Sequence, residues 1–383
     1  MTLKILHVWS GNLYGGVETF LTTLATLRED LRDVGLDFEF ALCFDAKLAA
    51  ALRDAGAVVH PLGEVRFRNP LTLARARRRL RNLLRRSDFD AVICHAPWSH
   101  ALAANVVRRA RAPLLFWMHD LASGRLWFER LAALTPPDLA VVNSEFTATT
   151  LPRLFPTSPF RVVRYPVAVD SPAGGAPALA ARDDSRRDLA TDPDAVVILL
   201  AARLERWKGH ADFIDALALM QANPAWTAWI AGGPQRPVEQ SYFAELAAVL
   251  DRLNLTARVR LLGHRDDVPR LLAASDLFCQ PNSSPEPFGL VFIEALRAGR
   301  PVVATNLGGA SEIVNDTCGL LVPPRDPAAL ATALTNLVDD AAARAALGKA
   351  GPARAAALCD PKIVLPRLAA VIREFVVPDA SKS

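Results

Sequence analysis

Short apolar runs alternate with longer helical patterns along almost the whole chain, and the alternation runs twice. Lys4–Ser10, Phe38–Phe44, Val58–Pro61, Asp90–His95, Leu114–His119, Leu139–Asn143 and Arg161–Arg164 read as strands. Between them, helical patterns occupy about Val17–Leu31, Leu48–Ala55 and the Ala-rich His100–Arg109. Runs that are apolar on both faces and separated by helices are what a mostly parallel sheet covered by helices requires. Ser171–Asp194 then mixes Pro, Gly, Ala and charge without a clean period and reads as an interdomain connection. The alternation restarts with strands at Val196–Ala201, Trp226–Ala231, Val259–Leu262, Leu277–Gln280 and Pro301–Ala304. Helices fit at about His210–Gln221, Gln240–Leu253, Val268–Ala274, Gly289–Ala298 and Ala328–Asp339, and a last amphipathic one at about Ile363–Phe375.

The fold class expected from this is α/β, with two Rossmann-like parallel-sheet domains facing each other across a cleft. The expected boundaries are 1–170, a connection at 171–194, a second domain at 195–355, and a C-terminal segment at 356–383 whose helix packs back on the first domain. Strand ends at such a cleft are the default place for a ligand.

Composition removes whole classes of function. Half of the 383 residues are hydrophobic (51%), so a large core is available and global disorder is excluded. The five cysteines are scattered and never form CxxC, so neither a disulfide framework nor a cysteine zinc site is expected, and a reducing, cytoplasmic setting fits. The opening MTLKILHVWS turns polar too soon for a signal peptide, and no apolar run approaches a membrane span. The net charge of +4 conceals a basic first half, with a concentration at LTLARARRRLRNLLRR, residues 71–86. On a helix, Leu73, Ala76, Leu80, Leu83 and Leu84 form an apolar stripe there, with Arg75, Arg78, Arg79, Arg81 and Arg86 over the rest. Such a helix suits an anionic membrane surface, or equally its own sheet; no recognised nucleic-acid module accompanies it.

Three segments carry the chemistry. The first is Gly11-Asn12-Leu13-Tyr14-Gly15-Gly16-Val17-Glu18, where glycines let the chain turn into a helix and leave N–H groups for an anion or a sugar. Its spacing is not GxGxxG, so a dinucleotide fingerprint is disfavoured. The second is Ala201–His210, AARLERWKGH. With only six lysines against 38 arginines in the chain, Lys208 five residues after Arg203 is compositionally conspicuous. Two cations in a strand-to-helix loop can neutralise a departing diphosphate; the Walker motif is absent. The third is Pro281–Ala295, PNSSPEPFGLVFIEA, where a Pro-rich loop presents Glu286 and a helix beginning near Gly289 carries Glu294. Eight residues apart, the two carboxylates do not form an acid/base pair on one helix face, but they can line one ligand lying across the helix N-terminus.

These residues resemble the retaining glycosyltransferases of the GT-B fold, family-4 type (group 1). EPFGLVFIE reproduces the glutamate–seven–glutamate element and is followed by AGRPVVATNLGGASEIV and GLLVPPRDP; upstream, AARLERWKG, WIAGGP and LLGHRDDV occur in order. GNLYGGVETF, the strand-ending Met118-His119-Asp120 and VVNSEFT also match, so the resemblance spans roughly residues 4–376. It implies transfer of a hexose from a UDP- or GDP-linked sugar to a hydroxyl of a glycan, glycolipid or lipid-linked envelope precursor, with no obligatory cofactor or metal. It assigns Arg203 and Lys208 to the diphosphate, Glu294 to the ribose, Glu286 to the transferred sugar and His119 to that sugar's 6-hydroxyl. Gly16, Gly263, Phe288, Gly289 and Leu290 complete the donor side. His95 and His100, flanking Trp98 in what reads as a strand-to-helix loop, and Asn143 are candidates for the acceptor side. A nucleotide-sugar epimerase, a phosphorylase or a catalytically silent sugar-binding protein on the same fold are the competing readings. The pattern departs from the family at Pro166–Asp170, PVAVD, which lacks the usual Asn-Gly turn. Asp88-Phe89-Asp90 and Asp192-Pro193-Asp194 mimic a metal-binding DxD but stand at a strand entrance and in the connection, both unsuited to that role.

Overall fold

The computed structural model describes residues 2–12, 15–167 and 176–376, without the side chains of 176–181. Leu13 and Tyr14 of the first glycine segment and Ala168–Asp170 of the PVAVD stretch lie outside the described residues. The first sheet has seven strands: β1 (Leu3–Trp9), β2 (Leu36–Leu42), β3 (Val58–Pro61), β4 (Ala91–His95), β5 (Leu114–Met118), β6 (Leu139–Val142) and β7 (Phe160–Val162). Its order is β3-β2-β1-β4-β5-β6-β7. The second has six: β8 (Val196–Ala201), β9 (Trp226–Ala231), β10 (Val259–Gly263), β11 (Leu277–Gln280), β12 (Val302–Thr305) and β13 (Gly319–Val322), in the order β10-β9-β8-β11-β12-β13. Every strand pairing in both ladders is parallel. The central strands β4, β5, β8 and β11 are buried along their whole length, which is why they read as unbroken apolar runs.

Each sheet reverses its direction of growth once, between β1 and β4 in the first and between β8 and β11 in the second. The carboxyl ends of those four strands are where a doubly wound sheet opens a crevice.

The chain divides into a unit of residues 1–169 with 359–383 and a second unit of 170–358. The helix Pro361–Val376 belongs to the first: Val167 N donates to Cys359 O (2.9 Å), and Arg373 bonds to Val34 O.

Four sequence expectations need correction. The presumed connection contains a helix, Ala176–Asp188. Among the described side chains, arginines dock it. Arg186 donates to Asp276 Oδ2 (2.6 Å) and Ala274 O (3.1 Å), and Arg182 to Asp276 Oδ1 (2.6 Å). Burial alone would raise the Asp276 carboxyl, but Arg186 and Arg182 hold it below its usual range. The helix expected over Val17–Leu31 is interrupted at Leu27 into Gly16–Thr26 and Arg28–Asp33. The segment after Asp340 forms an unforeseen helix, Ala341–Cys359, whose internal glycines permit close approach. A Cβ on Gly348 would stand 2.4 Å from Gly299 O. Finally, the apolar stripe of the arginine-rich helix, Pro70–Arg86, is not available to a membrane. Ala76 and Leu80 are buried in the first unit's core, and Leu73, Leu83 and Leu84 pack against it.

Candidate functional site

In the second unit, the loops leaving β8 and β11 are laced together at the switch point. The β8 loop carries Arg203, makes a 3-10 turn at Arg206–Lys208 and enters the helix His210–Leu219 through Gly209. Gly209 has φ +76°, and a Cβ there would sit 1.8 Å from Pro281 O. Only glycine lets the two loops approach this closely. Ser283 N donates to Trp207 O (2.8 Å), tying the loops from the other side.

This approach brings Lys208 onto Glu286. Lys208 Nζ is 2.6 Å from Glu286 Oε2, and both side chains are nearly buried. The same oxygen accepts from Asn282 Nδ2 (3.0 Å) and Gln280 Nε2 (3.2 Å). Lys208 also lies over the Trp207 ring, 4.1 Å from its centroid. Glu286 Oε1 has no hydrogen-bond partner among the described residues, and an ammonium carries three donors, so both groups keep bonding capacity for a ligand. Arg203 stands more open, 47% exposed, with its guanidinium 3.0 Å from Glu205 Oε2.

The helix Leu290–Arg297 follows directly. Gly289 caps it at φ +96°, with a Cβ position 2.4 Å from the Phe292 ring, while Phe288 is buried beside it and Leu290 is the first helical residue. Glu294 lies on this helix, partly buried, with no side-chain hydrogen bond among the described residues. Burial pushes its carboxyl upward against the pull of Arg297. A carboxylate left in that state is a ready acceptor for paired hydroxyls. Gly308, at φ +63°, packs so tightly on Glu286 that a Cβ would be 2.3 Å from its carbonyl oxygen; Gly309 N donates to that oxygen (2.7 Å). Gly263 ends β10 with φ +66° and open space where a Cβ would be. Next to it Arg265 is occupied by Asp267 (2.7 and 2.6 Å).

In the first unit, Gly16 is exposed and opens the helix Gly16–Thr26; Glu18 in its first turn accepts from Trp9 Nε1 (2.8 Å). The other candidates there are brought together only in part. His95, the last residue of β4, and His119, just after β5, are bonded to each other, Nδ1 to Nε2, at 2.7 Å. His119 Nδ1 also meets the Tyr165 hydroxyl at 2.5 Å, so both of its ring nitrogens are engaged. Asn143 donates from Nδ2 to His119 O (3.1 Å) and Tyr165 Oη (3.0 Å). His100 is elsewhere. The helix after β4 starts at Ala96, so no loop presents His100; it is buried, bonds Thr135 O (2.7 Å) and packs edge-on to Phe116 and Phe155. Burial lowers its pKa to about 4. It is a core histidine, and its acceptor-side assignment is withdrawn.

Four participants escaped the reading of the sequence: Gln280, Asn282, His7 and Tyr165. Each left a faint signal. Gln280 closes the otherwise apolar β11, and His7 stands between Leu6 and Val8 of β1; a polar group buried there is costly unless paired.

Residues 181–354 match the family model for glycosyl transferases group 1, and residues 14–171 match glycosyltransferase family 4. The chain belongs to the GT-B glycosyltransferases of group 1, family 4. Among curated relatives, the D-inositol 3-phosphate glycosyltransferase of Salinispora tropica is 36% identical over 229 residues, 55% of this chain and 46% of the relative. The lipopolysaccharide core biosynthesis mannosyltransferase LpsB of Rhizobium meliloti is 31% identical over 45% of this chain and 50% of its own. The chain thus spans half or less of the length of these relatives. Among solved structures, HepE of Anabaena in complex with UDP-glucose superposes with a TM-score of 0.84 at 25% identity, covering 97% of this chain and 100% of HepE. Family membership and fold rest on both halves of this glycosyltransferase, not only on the more strongly patterned second one.

Proposed function

We propose that the chain transfers a hexose from a nucleotide-diphosphate sugar to an acceptor hydroxyl with retention at the anomeric carbon. The observation that carries this reading is the meeting of Lys208 and Glu286 at the carboxyl ends of β8 and β11. In the proposed step the acceptor oxygen bonds to C1 as the C1–phosphate oxygen bond breaks. The nucleoside diphosphate departs with the electron pair, and the acceptor proton passes to a phosphate oxygen. Lys208 and Arg203 neutralise the charge that grows on the diphosphate. Glu286 receives hydroxyls of the transferred sugar, Glu294 the ribose diol, and the N–H groups at Gly289 and Leu290 a phosphate or sugar oxygen. Gly263 and Gly16 border the base and the phosphates. His119 is assigned a hydroxyl of the sugar, which takes the place of the Tyr165 hydroxyl at Nδ1. The solved HepE complex with UDP-glucose supports the donor class, and a glycan or lipid-linked acceptor is consistent with LpsB.

Calorimetric titration with UDP, GDP and ADP tests the donor assignment. One diphosphate is expected to bind in the micromolar range and to lose at least tenfold in affinity in Arg203→Ala. No binding by any of the three would end the donor reading.

A peripheral contact with an anionic membrane is also proposed, now carried by charge alone. Among the described residues no helix is long and apolar enough to cross a membrane. Arg75, Arg78, Arg81, Arg85 and Arg86 are exposed on the helix Pro70–Arg86, which has no acidic residue. Co-sedimentation with vesicles should therefore rise with the anionic-lipid fraction and fall in 0.5 M salt and in the triple change Arg75→Glu, Arg78→Glu, Arg81→Glu. Equal recovery on neutral and anionic vesicles would reject it.

A further inference from the structure

Glu286 is held at both of its ends. Its backbone forms a parallel bridge with Gly308, and its carbonyl oxygen accepts from Gly309 N (2.7 Å). Its side chain is held by two amides at the end of β11. Gln280, the last residue of that strand, pairs with Ala304 of β12. Asn282 is tied to the same neighbour, its carbonyl accepting from Thr305 Oγ1 (2.8 Å). Both amide residues are 1% exposed. They are thus fixed by the middle of the second sheet, where β11 lies between β8 and β12.

The orientation of both amides follows from the carboxylate. A carboxylate paired with an ammonium only accepts. Asn282 must therefore turn its NH2 to Glu286 Oε2 (3.0 Å), which leaves Asn282 Oδ1 facing Gln280. Gln280 must then offer Nε2, which donates to Asn282 Oδ1 (2.9 Å) and to Glu286 Oε2 (3.2 Å). The other atom of that amide, Gln280 Oε1, is buried without a hydrogen-bond partner. An unpaired buried acceptor weakens a fold and calls for an explanation. The explanation lies in what the NH2 of the same amide fixes. Lys208 Nζ, at 2.6 Å, is the third donor on Oε2. That oxygen is saturated, so Oε1 alone is left for a ligand. An ammonium that must also neutralise a diphosphate cannot be the sole anchor of this carboxylate. Without the amides, Glu286 would be released whenever Lys208 turned to the phosphates.

We propose that Gln280 and Asn282 are positioning residues that fix the Glu286 carboxylate with Oε1 toward the transferred sugar, and that they do so independently of Lys208. This rests on the assignment of Glu286 to the sugar and of Lys208 to the diphosphate. The two amides then serve the sugar through Glu286, and the lysine serves the phosphates.

The test uses the full chain and two ligand pairs, UDP with UDP-glucose and GDP with GDP-mannose. The pair that binds the unmodified protein is titrated calorimetrically into the variants. The double change Gln280→Met, Asn282→Leu replaces both amides by apolar side chains of similar size. The sugar conjugate should then lose about tenfold in affinity, the effect of weakening one charge-assisted hydrogen bond, while the free diphosphate changes by less than about twofold. Lys208→Met should instead weaken both members of the pair by a similar factor, because the amides still hold Glu286. Equal changes for the two ligands in the folded amide variant overturn the proposal, as does a lowered Tm with both affinities intact. So does a loss confined to the conjugate in Lys208→Met, which would make the lysine the anchor of Glu286. The unmodified chain gives a reading that does not depend on any variant folding. In 1H–15N spectra the side-chain amide signals of Gln280 and Asn282 should move further with the conjugate than with the free diphosphate, and equal movement overturns the proposal. If neither pair binds the unmodified chain, the donor reading fails and takes the positioning role with it. If a pair binds and the amide variant discriminates between its members as before, the positioning role fails alone.

Discussion

Lys208→Met should lower kcat/KM about 100-fold or more, the size of effect seen when one donor to a developing oxyanion is removed. The difficulty is that Lys208 also neutralises Glu286, and both side chains are close to buried. Removing one partner of such a pair commonly costs roughly 3–5 kcal/mol of stability, because the other charge is left uncompensated. Lost activity alone would therefore be ambiguous. Glu286→Gln resolves this, since it removes the stranded charge at almost unchanged shape. The double variant Lys208→Met, Glu286→Gln should melt close to the unmodified protein and yet stay at least 100-fold down, and well below Glu286→Gln alone, which loses the sugar contact but keeps the lysine. Activity within threefold of normal in Lys208→Met would remove Lys208 from the diphosphate. Recovery of activity in the double variant would show that the lysine acts only on Glu286.

The second large effect is acid sensitivity that begins above the carboxylate range. Burial lowers His7 and His119 to about 3 and His100 to about 4, and it lowers His95 as well. In the second unit, burial and the nearby Lys208 bring His210 to about 4. Unfolded histidine titrates near 6.5, so below that pH the unfolded chain binds protons that the folded chain does not. Stability is therefore unaffected above about pH 6.5 and declines as the pH falls toward the folded values of about 3 to 4. Each ring contributes about 1.4 kcal/mol per pH unit in that window. Four of the five rings are in the first unit, so its transition should move first and furthest. Calorimetric scans from pH 7.5 to 4.5 should show Tm falling from about pH 6.5, with a shallower slope in His100→Phe. A flat Tm between pH 7 and 5 would contradict the buried, neutral state of these rings.

The fold was largely legible because the central parallel strands, buried on both faces, leave unbroken apolar runs, and with them as a frame twelve of the thirteen strands were read from the sequence. The exception, β13, is four residues long with only its two ends buried, too little for a periodicity to form. Helices held by polar bonds were harder. Ala176–Asp188 docks through Arg182 and Arg186, and no hydrophobic pattern encodes that. Within the site, the positions of Lys208, Glu286 and Glu294 followed from loops after apolar strands, but the partnership of Lys208 with Glu286 joins residues 78 apart in the chain. That depends on which strands are neighbours. The line of three histidines is hidden for the same reason: β1, β4 and β5 must pair side by side before His7 meets His95 (2.8 Å) and His95 meets His119. The leucines of residues 71–86 show the opposite failure. Their pattern was clear, and it could not say which apolar surface they would meet.

The helix Pro361–Val376 buries Val364, Leu365, Leu368, Ala369, Val371 and Ile372 and is assigned with residues 1–169, although all of 170–358 stands between them in the chain. During synthesis on the ribosome, the first unit is thus written in two instalments. The second unit has its whole sequence in hand before the first does. At ordinary elongation rates the earlier part waits roughly 10–40 s for its final helix. Throughout that interval the apolar surface meant for those six residues has nothing of its own to cover it. A nascent chain of this kind is most exposed to chaperones and to misassociation late in its synthesis, and the stretch at risk is the one made first.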